Sequence, residues 1–340
     1  MTDTTQAVWI DRTGPADSLV LRDTPLPPPG PGEVRVRVEA AGVAYADVVM
    51  RNGLYPGVKA PVIPGYDLCG RIEALGPDAP AHLAIGIRVC AVTVTGSYAR
   101  HRNVPAALCV AAPEGPPPDK IVAACMNGLT AFQMFHRCVG PEASETVLVH
   151  GAAGGVGTLL LDLARMAGVK AVGTASQGKH GFVEARGAIP IDYRATDFVA
   201  ETQRLAPGGV VGVFDHIGGK HFKRSLSLVR AGGTGVLYGG YDATKGGKPN
   251  PLAFLDLLLG SGLNAFQLFG QSRSVTGYNV QYWRDARPAA YAKDLAALMA
   301  LVGDGRLDPE IGAVLPLERA GEAHRMLETA SVAGKIVLNC

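Results

Sequence analysis

A glycine-rich turn between an apolar run and an amphipathic segment is the part of this sequence whose chemistry is clearest. The turn, Gly151-x-x-Gly154-Gly155-x-Gly157, follows the apolar run Thr146–Val149. From 156 to 167, apolar residues recur at the spacing of one helix face. Glycine permits a tight turn and close approach of phosphate to the backbone, and the following helix N-terminus supplies N–H groups. The pattern predicts a site for a dinucleotide pyrophosphate, formed by Gly154, Gly155, Val156 and Gly157.

The end of the next predicted strand, residues 169–174, indicates which dinucleotide binds. NAD-binding units usually carry Asp or Glu there, for the ribose hydroxyls. In this chain the first carboxylate after the strand is Glu184, whereas Ser176 can hydrogen-bond a 2′-phosphate and Lys179 can neutralise one. The sequence therefore predicts NADPH rather than NADH, with Gly173, Ser176 and Lys179 at its adenosine end. The alternative is that Lys179 is a solvated residue at a helix start.

Predicted strands and helices alternate from about residue 121 to residue 270, which is typical of an α/β fold with a doubly wound parallel sheet. The predicted strands are 146–149, 169–174, 188–193, 210–215 and 235–239, and the predicted helices are 156–167, 181–186, 197–205 and 222–230. Such sheets bind ligands at the carboxyl ends of their strands. Segments 215–219 and 238–241 are therefore expected to face the cofactor, which assigns Ile217, Tyr238 and Gly239 to its site.

The remaining sequence favours a second, β-rich domain. Pro and Gly punctuate residues 1–120, with short strand-like runs at 34–38, 70–75 and 88–94. The tail predicts a strand at 276–282, helices at 290–302 and 320–329, and a last strand at 335–338 that we expect to return to the first domain. The predicted organisation is a β-rich domain of residues 1–122 and 271–340 and a dinucleotide-binding domain of residues 123–270.

The composition of the chain excludes several classes of function. The chain has 340 residues, 47% of them hydrophobic and 18% charged, with a net charge of +2. This suggests about two domains with sizeable cores, and there is no block of Lys or Arg to bind nucleic acid or a membrane surface. The N-terminus does not read as a secretory signal, and the apolar run at 252–260 is too short to cross a bilayer. The six cysteines form no CxxC pair and are expected to be free thiols in a reducing cytoplasm.

Six segments together resemble the zinc-independent medium-chain dehydrogenase/reductases. They match in order over nearly the whole chain: GVAYADVVMRNGLYP (42–56), PGYDLCGRIEALG (64–76), NGLTAF (127–132), HGAAGGVG (150–157), FDHIGG (214–219) and GKIVL (334–338). Within that superfamily the chain is similar to the quinone oxidoreductases, and segments 173–180 and 238–282 also look like the vesicle amine transport protein homologue. The resemblance implies a GroES-like catalytic domain, a central Rossmann domain with NADPH in the cleft between them, and a cytoplasmic homodimer.

The resemblance also bears on a metal. Zinc-dependent relatives place a Cys near position 44 and a His-Glu pair near 66, where this chain has Ala44-Tyr45 and Tyr66-Asp67. The usual tetrahedral zinc site cannot be assembled without Cys or His at these places. The prediction is an enzyme without a metal.

Tyr55 is the predicted catalytic residue. It matches a catalytic or substrate-facing tyrosine of quinone reductases and of enoyl thioester reductases, and a phenol protonated at pH 7 can donate to a developing enolate. Packing of its ring at the rim of the cleft is the alternative. Quinone reductases usually carry Asn in place of Ala44, and many carry Tyr in place of Val49, so the resemblance implies an unusually apolar pocket. Asp47 matches a common family residue, interpreted as a structural hydrogen-bond partner.

Other residues match cofactor-contacting positions of the family. Asn127 and Thr130 correspond to residues that touch the nicotinamide or its ribose, although an Asn can also cap a helix. Tyr193 corresponds to a tyrosine beside the adenosine ribose phosphate, or packs at a strand end. Lys335 corresponds to a cofactor-contacting lysine, or is solvated. The last candidates belong to a segment whose backbone meets the nicotinamide carboxamide: Tyr278, Asn279 and Val280.

The predicted function is hydride transfer from NADPH to a small apolar acceptor, a quinone or an α,β-unsaturated carbonyl, with water or Tyr55 supplying the proton. Two alternatives stay open. One is an enoyl thioester reductase acting on acyl chains, and the other is a non-catalytic NADPH-binding adaptor or lipid-handling protein. No nucleic-acid partner and no integral membrane segment are expected.

Overall fold

The computed structural model describes residues 3–245 and 250–340, and the chain divides into two compact units. The terminal unit comprises Met1–Leu129 and Gln281–Cys340, and the central unit comprises Thr130–Val280. Both boundaries lie further along the chain than the predicted divisions after residues 122 and 270. One continuous helix, Pro118–Gln133, passes through the first predicted boundary, and a strand beyond the second, Ser274–Gly277, belongs to the central sheet.

The strands follow the chain in this order: β1 (Asp3–Ile10), β2 (Leu19–Leu26), β3 (Glu33–Val43), β4 (Asp67–Leu75), β5 (Arg88–Val92), β6 (His101–Pro105), β7 (Val110–Ala111), β8 (Thr146–Val149), β9 (Lys170–Ala175), β10 (Ile189–Asp192), β11 (Val210–Asp215), β12 (Val229–Leu237), β13 (Ser274–Gly277), β14 (Ile311–Pro316) and β15 (Lys335–Asn339).

The helices are α1 (Tyr45–Arg51), α2 (Pro118–Gln133), α3 (Gly155–Met166), α4 (His180–Glu184), α5 (Phe198–Leu205), α6 (Gly219–Ser227), α7 (Tyr241–Thr244), α8 (Pro251–Leu259), α9 (Ala265–Gln271), α10 (Val280–Ala286), α11 (Pro288–Gly303) and α12 (Ala320–Glu328). Helix α2 continues into a π-helical turn at Met134–Val139. In the part of the chain that the structure describes, no helix is both long enough and apolar enough to cross a membrane.

The terminal unit is built on β-structure, as predicted. Strands β1 and β2 pair with each other, and a larger sheet has the order β14-β15-β3-β4-β5-β7, with β6 also paired to β3. The final strand β15 pairs antiparallel with β3, from Ile336 opposite Val43 to Asn339 opposite Ala40. This confirms that the end of the chain returns to the first domain. The pairing aligns Lys335, at the start of β15, with the end of β3 and so sets its position in the site.

The central unit is the predicted doubly wound α/β domain. Its sheet has the order β10-β9-β8-β11-β12-β13, and every neighbouring pair is parallel. A buried cluster fills one face of this sheet, and its members include Leu148, Val172, Val210 and Val213. In a parallel sheet the carboxyl ends of all strands lie on the same side, so the turns after β8, β9, β11 and β12 are neighbours there.

Two predicted elements end three or more residues early. The helix expected over 222–230 stops at Ser227, because the apolar residues that follow it begin β12. The strand expected over 276–282 stops at Gly277, and α10 begins at Val280. In both segments the apolar spacing suits a strand and a helix over a short length, and the tertiary pairing decides between them.

Candidate functional site

The glycine-rich turn joins β8 to α3, as the sequence predicts. Gly151 has a left-handed φ of +64°, and the N–H of Gly154 donates to the Gly151 carbonyl over 2.8 Å. Gly154 precedes α3 without a side-chain cap. The N–H groups of the first helical turn, beginning at Gly155 and Val156, have no acceptor within the helix itself, which is the usual anchor for a phosphate.

Close approach of the backbone explains the glycines behind the turn. A Cβ at Gly157 would lie 2.8 Å from the Cα of Ala152, and a Cβ at Gly173 would lie 2.6 Å from the Cβ of Ala152. These two glycines therefore let α3 and β9 pack against the turn. A Cβ at Gly154 would meet the Gly151 carbonyl at 3.2 Å and no other atom within 4 Å. The side of the turn at Gly154 is thus open enough for a phosphate to approach the backbone.

A chain of buried hydrogen bonds runs beneath the turn. The N–H of Gly151 donates to Thr174 Oγ1 (3.3 Å), and the Thr174 hydroxyl bonds to His150 Nδ1 (3.1 Å). His150 Nε2 bonds to Ser225 Oγ (3.0 Å), and Ser225 donates to Asp215 Oδ2 (2.8 Å). Burial lowers the pKa of His150 to about 3, so its imidazole is neutral at pH 7. Because the Ser225 proton points to Asp215, we assign the His150 proton to Nε2, and Nδ1 accepts from Thr174.

This series of hydrogen bonds ends at Asp215, whose carboxylate fixes a second turn. Its Oδ1 accepts the N–H groups of Ile217 (2.7 Å) and Gly218 (3.0 Å), and its Oδ2 also accepts from His221 Nδ1 (2.7 Å). Burial alone would raise the pKa of Asp215, but the hydrogen bond from His221 and the neighbouring imidazoles hold the pKa below its usual value. Asp215 therefore stays ionised, and one network joins the turn after β8 to the turn after β11.

Three members of this network also have the composition of a metal site. One ligand atom each from His150, Asp215 and His221 lies within 4.8 Å of the other two, the one such group among the described residues. All three side chains are already hydrogen-bonded, to Ser225 or to one another. The group is thus complete without an ion, and we interpret it as part of the hydrogen-bond network.

The predicted 2′-phosphate residues follow β9. Ser176 and Lys179 are both half-buried; Ser176 precedes a 3₁₀ turn at Gln177–Lys179, and Lys179 is the last residue of that turn. Burial and then the positive charge of Arg194 lower the pKa of Lys179. The guanidinium of Arg194 lies 5.7 Å from the ring centre of Tyr193, which is half exposed after β10. Two cations beside a serine and a tyrosine form a site suited to a phosphate.

The turns after β11 and β12 carry the strand-end candidates. Ile217 follows His216, whose ring lies against Gly151 and whose Nδ1 is buried without a hydrogen-bond partner. Tyr238 donates its N–H to the Asp215 carbonyl (2.9 Å), and its ring lies 5.8 Å from that of His216. A Cβ at Gly239 would lie 2.7 Å from the His216 carbonyl. These residues therefore gather beside the glycine-rich turn, where an unsatisfied imidazole nitrogen fits a polar ligand.

The nicotinamide candidates lie in two places along the chain. Tyr278 is buried, with its hydroxyl donating to Gln133 Oε1 (2.8 Å), while Asn279 is exposed and Val280 begins α10. Asn127 and Thr130 are buried one turn apart on the same face of α2. Asn127 lies well inside that helix, so the alternative of a helix cap is wrong.

Tyr55 belongs to a hydroxyl cluster in the terminal unit. Its Oη lies 2.8 Å from the Oη of Tyr66 and 3.3 Å from Gln281 Oε1. Tyr66 is 3% exposed, and Tyr55 is half-buried. Burial raises the pKa of both tyrosines, and the positive charge of Arg284 acts in the opposite direction on both. Both hydroxyls are therefore protonated at pH 7, and Tyr66 and Arg284 would stabilise a phenolate at Tyr55.

Tyr55 is held in place by the structure at the end of α1. Arg51, 2% exposed, donates to the Gly14 carbonyl (3.0 Å) and forms an ion pair with Glu328 on α12. Gly53 has a φ of +72°, and a Cβ there would lie 2.6 Å from Thr13 Cγ2. Only glycine fits this turn without strain. The segment that leads to Tyr55 is therefore fixed at both α1 and Gly53.

Two buried carboxylates underlie this cluster. Asp47 accepts the N–H groups of Ala44 and Gly65, each over 2.9 Å, and burial raises its pKa to about 7. Asp67 forms a buried ion pair with Lys335 over 3.4 Å. Lys335 is therefore not a solvated lysine, and its ammonium is held by the protein. Asp47 has the geometry of the predicted structural hydrogen-bond partner.

A phosphate-binding turn on a parallel sheet, together with a β-rich unit that holds buried hydroxyls, is typical of an oxidoreductase that uses a dinucleotide. Comparison with known families agrees. Residues 30–114 match the family described as "Alcohol dehydrogenase GroES-like domain", and residues 186–338 match the family described as "Zinc-binding dehydrogenase".

Individual relatives extend the match over nearly the whole chain. The rat synaptic vesicle membrane protein VAT-1 homolog is 33% identical over 331 residues, which covers 96% of this chain and 81% of the relative. A probable quinone oxidoreductase of Schizosaccharomyces pombe is 30% identical, covering 98% of this chain and 96% of the relative. A mycobacterial protein solved in complex with NADPH is 28% identical with a TM-score of 0.85, covering 99% of this chain and all of that one.

The chain belongs to the medium-chain dehydrogenase/reductase superfamily and is quinone oxidoreductase-like within it. The family and the fold predicted from the sequence are thereby confirmed.

Several residues of the candidate site were missed by sequence reasoning. Arg194 directly follows the predicted Tyr193, so a basic neighbour at that strand end was a usable signal. The sequence marks Tyr66 only as a residue at the position of a zinc ligand, and Gln281 lies far from Tyr55 in sequence. No sequence pattern indicates the network of Thr174, His150 and Ser225, because these polar residues are separated in sequence and are brought together only by the folded sheet.

We predict that the Thr174 hydroxyl, rather than its bulk, supports cofactor binding. Thr174→Val keeps the shape and removes the hydroxyl, and should raise the NADPH dissociation constant about tenfold, the equivalent of one lost buried hydrogen bond. Thr174→Ser keeps the hydroxyl and should bind like wild type in fluorescence titration. Thr202→Val, at a buried threonine of α5 whose hydroxyl has no partner, is the control. Weaker binding by Thr174→Ser than by Thr174→Val would contradict this assignment.

A second prediction concerns the adenosine end. Lys179→Glu and Arg194→Glu should each weaken NADPH binding by about 2–4 kcal/mol and NADH binding far less, because a charge-assisted bond is lost and repulsion is gained. Lys170→Glu, at the exposed start of β9, should leave both affinities unchanged. Equal losses of NADPH and NADH affinity in either site variant would show that the 2′-phosphate does not bind at this position.

Proposed function

We propose that this protein is an NADPH-dependent reductase that works without zinc and reduces a quinone or an α,β-unsaturated carbonyl. The observation that carries the proposal is the Tyr55–Tyr66 hydroxyl pair at 2.8 Å. Tyr66 stands near the position where zinc-dependent relatives place a His ligand, and Ala44 stands where they place a Cys. Hydroxyl donors thus take the place of the ion that would polarise an acceptor oxygen.

NADPH fits the residues of the central unit. The backbone N–H groups at Gly155 and Val156 suit its pyrophosphate, and Lys179 with Arg194 suits its 2′-phosphate. The mycobacterial relative solved with NADPH supports the same cofactor here. When bound, NADPH supplies the hydride, and the protein supplies position and a proton.

The proton path follows from the hydroxyl cluster. As the acceptor takes up hydride, negative charge develops on its oxygen, and Tyr55 donates its proton to that oxygen. The phenolate oxygen left on Tyr55 then accepts a hydrogen bond from the Tyr66 hydroxyl, and the positive charge of Arg284 also stabilises the phenolate. Solvent restores the proton, because Tyr55 is only half-buried. Arg284 is held for this role by a hydrogen bond to the Val92 carbonyl.

The character of the acceptor follows from α1 and from Ala44, the residue that precedes this helix. Ala44 is buried and Val49 is half-buried, so the surroundings of α1 offer methyl groups where related reductases usually offer an amide and a phenol. A flat, apolar acceptor is favoured over a polar one. The six free cysteines support a reducing, cytoplasmic location.

The proposal is tested by Tyr55→Phe, which keeps the ring and removes the donor. Turnover of an enone should fall about 10²–10³-fold, while the NADPH dissociation constant should not change. A fall in kcat with little change in KM is expected for an interaction made in the transition state. Quinone reduction should suffer less, because the hydroquinone anion is more stable than an enolate and can take its proton from water. Tyr66→Phe should cause a smaller loss in the same direction.

Tyr282→Phe is the matched control, since Tyr282 lies near Tyr55 but is 68% exposed. It should turn over like wild type. Equal and large losses on quinones and enones in Tyr55→Phe would assign Tyr55 a packing role instead. Tight NADPH binding by wild type with no turnover of any quinone or enone would favour the non-catalytic alternative, which the vesicle membrane proteins among the relatives support.

A further inference from the structure

The side chain of Gln281 lies where the oxygen of an acceptor would have to bind. Its Oε1 accepts the hydroxyl hydrogen of Tyr55 over 3.3 Å. The proposed reaction needs that same hydrogen, because Tyr55 donates it to the oxygen on which negative charge develops. A phenol has one hydrogen to donate. Gln281 and the acceptor therefore compete for one donor.

The hydroxyl of Tyr66 fixes the direction in which Tyr55 donates. The two hydroxyl oxygens lie 2.8 Å apart. Burial raises the pKa of both phenols, and the hydrogen bond between them adds to the rise in the pKa of Tyr66 but opposes the rise in the pKa of Tyr55. Tyr66 is therefore the donor of this bond. The hydrogen of Tyr55 is left for its second partner, which is Gln281.

Among these three side chains, Gln281 is the one that can turn away. The carbonyl of Tyr66 accepts the N–H groups of Thr93 (2.9 Å) and Val94 (3.0 Å). The ring of Tyr55 stands edge-on to the ring of Tyr66, with 6.3 Å between the ring centres. A glutamine side chain, in contrast, turns about three bonds. Gln281 is also half-buried, so water can reach its amide when the amide leaves Tyr55.

Helix α10 keeps the amide within reach of Tyr55. Gln281 is the second residue of this helix, and Arg284 follows three positions later on the same face. Arg284 donates to the Val92 carbonyl of β5 and forms an ion pair with Asp285. The backbone at Gln281 is therefore tied to the terminal sheet, and displacement of the amide requires movement of the side chain alone.

The competing oxygens differ in strength. An amide oxygen shares the lone pair of its nitrogen, so it accepts a hydrogen bond more strongly than the oxygen of a ketone, an enone or a quinone. A neutral acceptor therefore gains little by replacing Gln281 on Tyr55. Once hydride begins to arrive, the acceptor oxygen carries negative charge, and a hydrogen bond to a charged oxygen is much stronger than a neutral one. The exchange is then favourable, and it lowers the barrier to reaction.

We infer that Gln281 is a specificity-determining residue that holds the Tyr55 hydroxyl until an acceptor oxygen displaces it. This role, which rests on the proposed function, selects carbonyl compounds whose oxygen becomes an oxyanion during hydride transfer. A compound that takes up hydride without placing charge on an oxygen does not displace the amide, and it loses the contribution of Tyr55.

The experiment is a double-mutant cycle on Tyr55 and Gln281. The probe is cyclohexanone, which has the carbonyl group but no conjugated alkene, in the presence of NADP⁺ so that no hydride is available. Ligand-observed NMR measures its dissociation constant. Gln281→Met keeps the length of the side chain and removes the competing oxygen, so it should lower the constant about threefold to tenfold, the equivalent of one neutral hydrogen bond. In Tyr55→Phe the same substitution should change the constant by less than about twofold, because the contested donor is gone.

Steady-state reduction of cyclohexenone gives a second measurement. Gln281→Met should lower KM by a similar factor and leave kcat nearly unchanged, whereas a purely structural role of Gln281 would make the variant a poorer enzyme. The control is Gln203→Ala, at an exposed glutamine of α5, which should leave all constants unchanged. Gln281→Asn, whose shorter side chain withdraws the oxygen from Tyr55, replaces Gln281→Met if circular dichroism shows misfolding.

Unchanged, weaker or undetectable cyclohexanone binding by Gln281→Met overturns the inference, because the amide then does not compete with the carbonyl. An equal gain in affinity in Tyr55→Phe also overturns it, since the gain would then come from the apolar methionine side chain. Wild type that binds cyclohexanone but reduces no enone and no quinone refutes the proposed function. The binding cycle still decides the role of Gln281 in that case, because it requires no turnover.

Discussion

The absence of a side chain at Gly157 is the constraint on which the cofactor site depends. A Cβ there would collide with the backbone of Ala152, so any larger residue would separate α3 from the turn. The contact brings the helix N-terminus beside the turn. It also sets the position of Gly151, whose N–H begins the hydrogen-bond chain through Thr174, His150 and Ser225. One short contact thus determines both the phosphate site and the network beneath it.

Buried carboxylates perform a similar task in the two units. Asp215 uses one oxygen to accept two backbone N–H groups of a turn, and Asp47 binds the N–H groups at the start of α1 and at Gly65. Removing such a partner leaves buried N–H groups unsatisfied, which is costly. The turns that carry candidate site residues are therefore fixed by side chains to which the proposed reaction assigns no chemical step.

The sequence alone predicts the features that lie within one continuous segment of the chain. The strand, the glycine-rich turn and the helix at 146–166 form one continuous segment, and alternation of strands and helices predicts the parallel sheet. Contacts between distant segments were not predictable. Tyr55 meets Gln281 across 226 residues, and Lys335 meets Asp67 across 268. Local pattern also failed where an apolar spacing suits both a strand and a helix, as at the start of β12 and at the end of β13.

Hydrogen–deuterium exchange of the backbone amides, with NADPH, with NADH and without cofactor, tests the central claim most directly. We expect both cofactors to slow exchange at the start of α3 and in the turn after β11. NADPH alone should slow exchange at residues 176–180 and 193–195, where we propose that Lys179 and Arg194 hold the 2′-phosphate. Unchanged exchange at the start of α3 with NADPH bound would show that the glycine-rich turn does not hold the pyrophosphate, and identical protection by the two cofactors at 176–180 would show that the 2′-phosphate does not bind there.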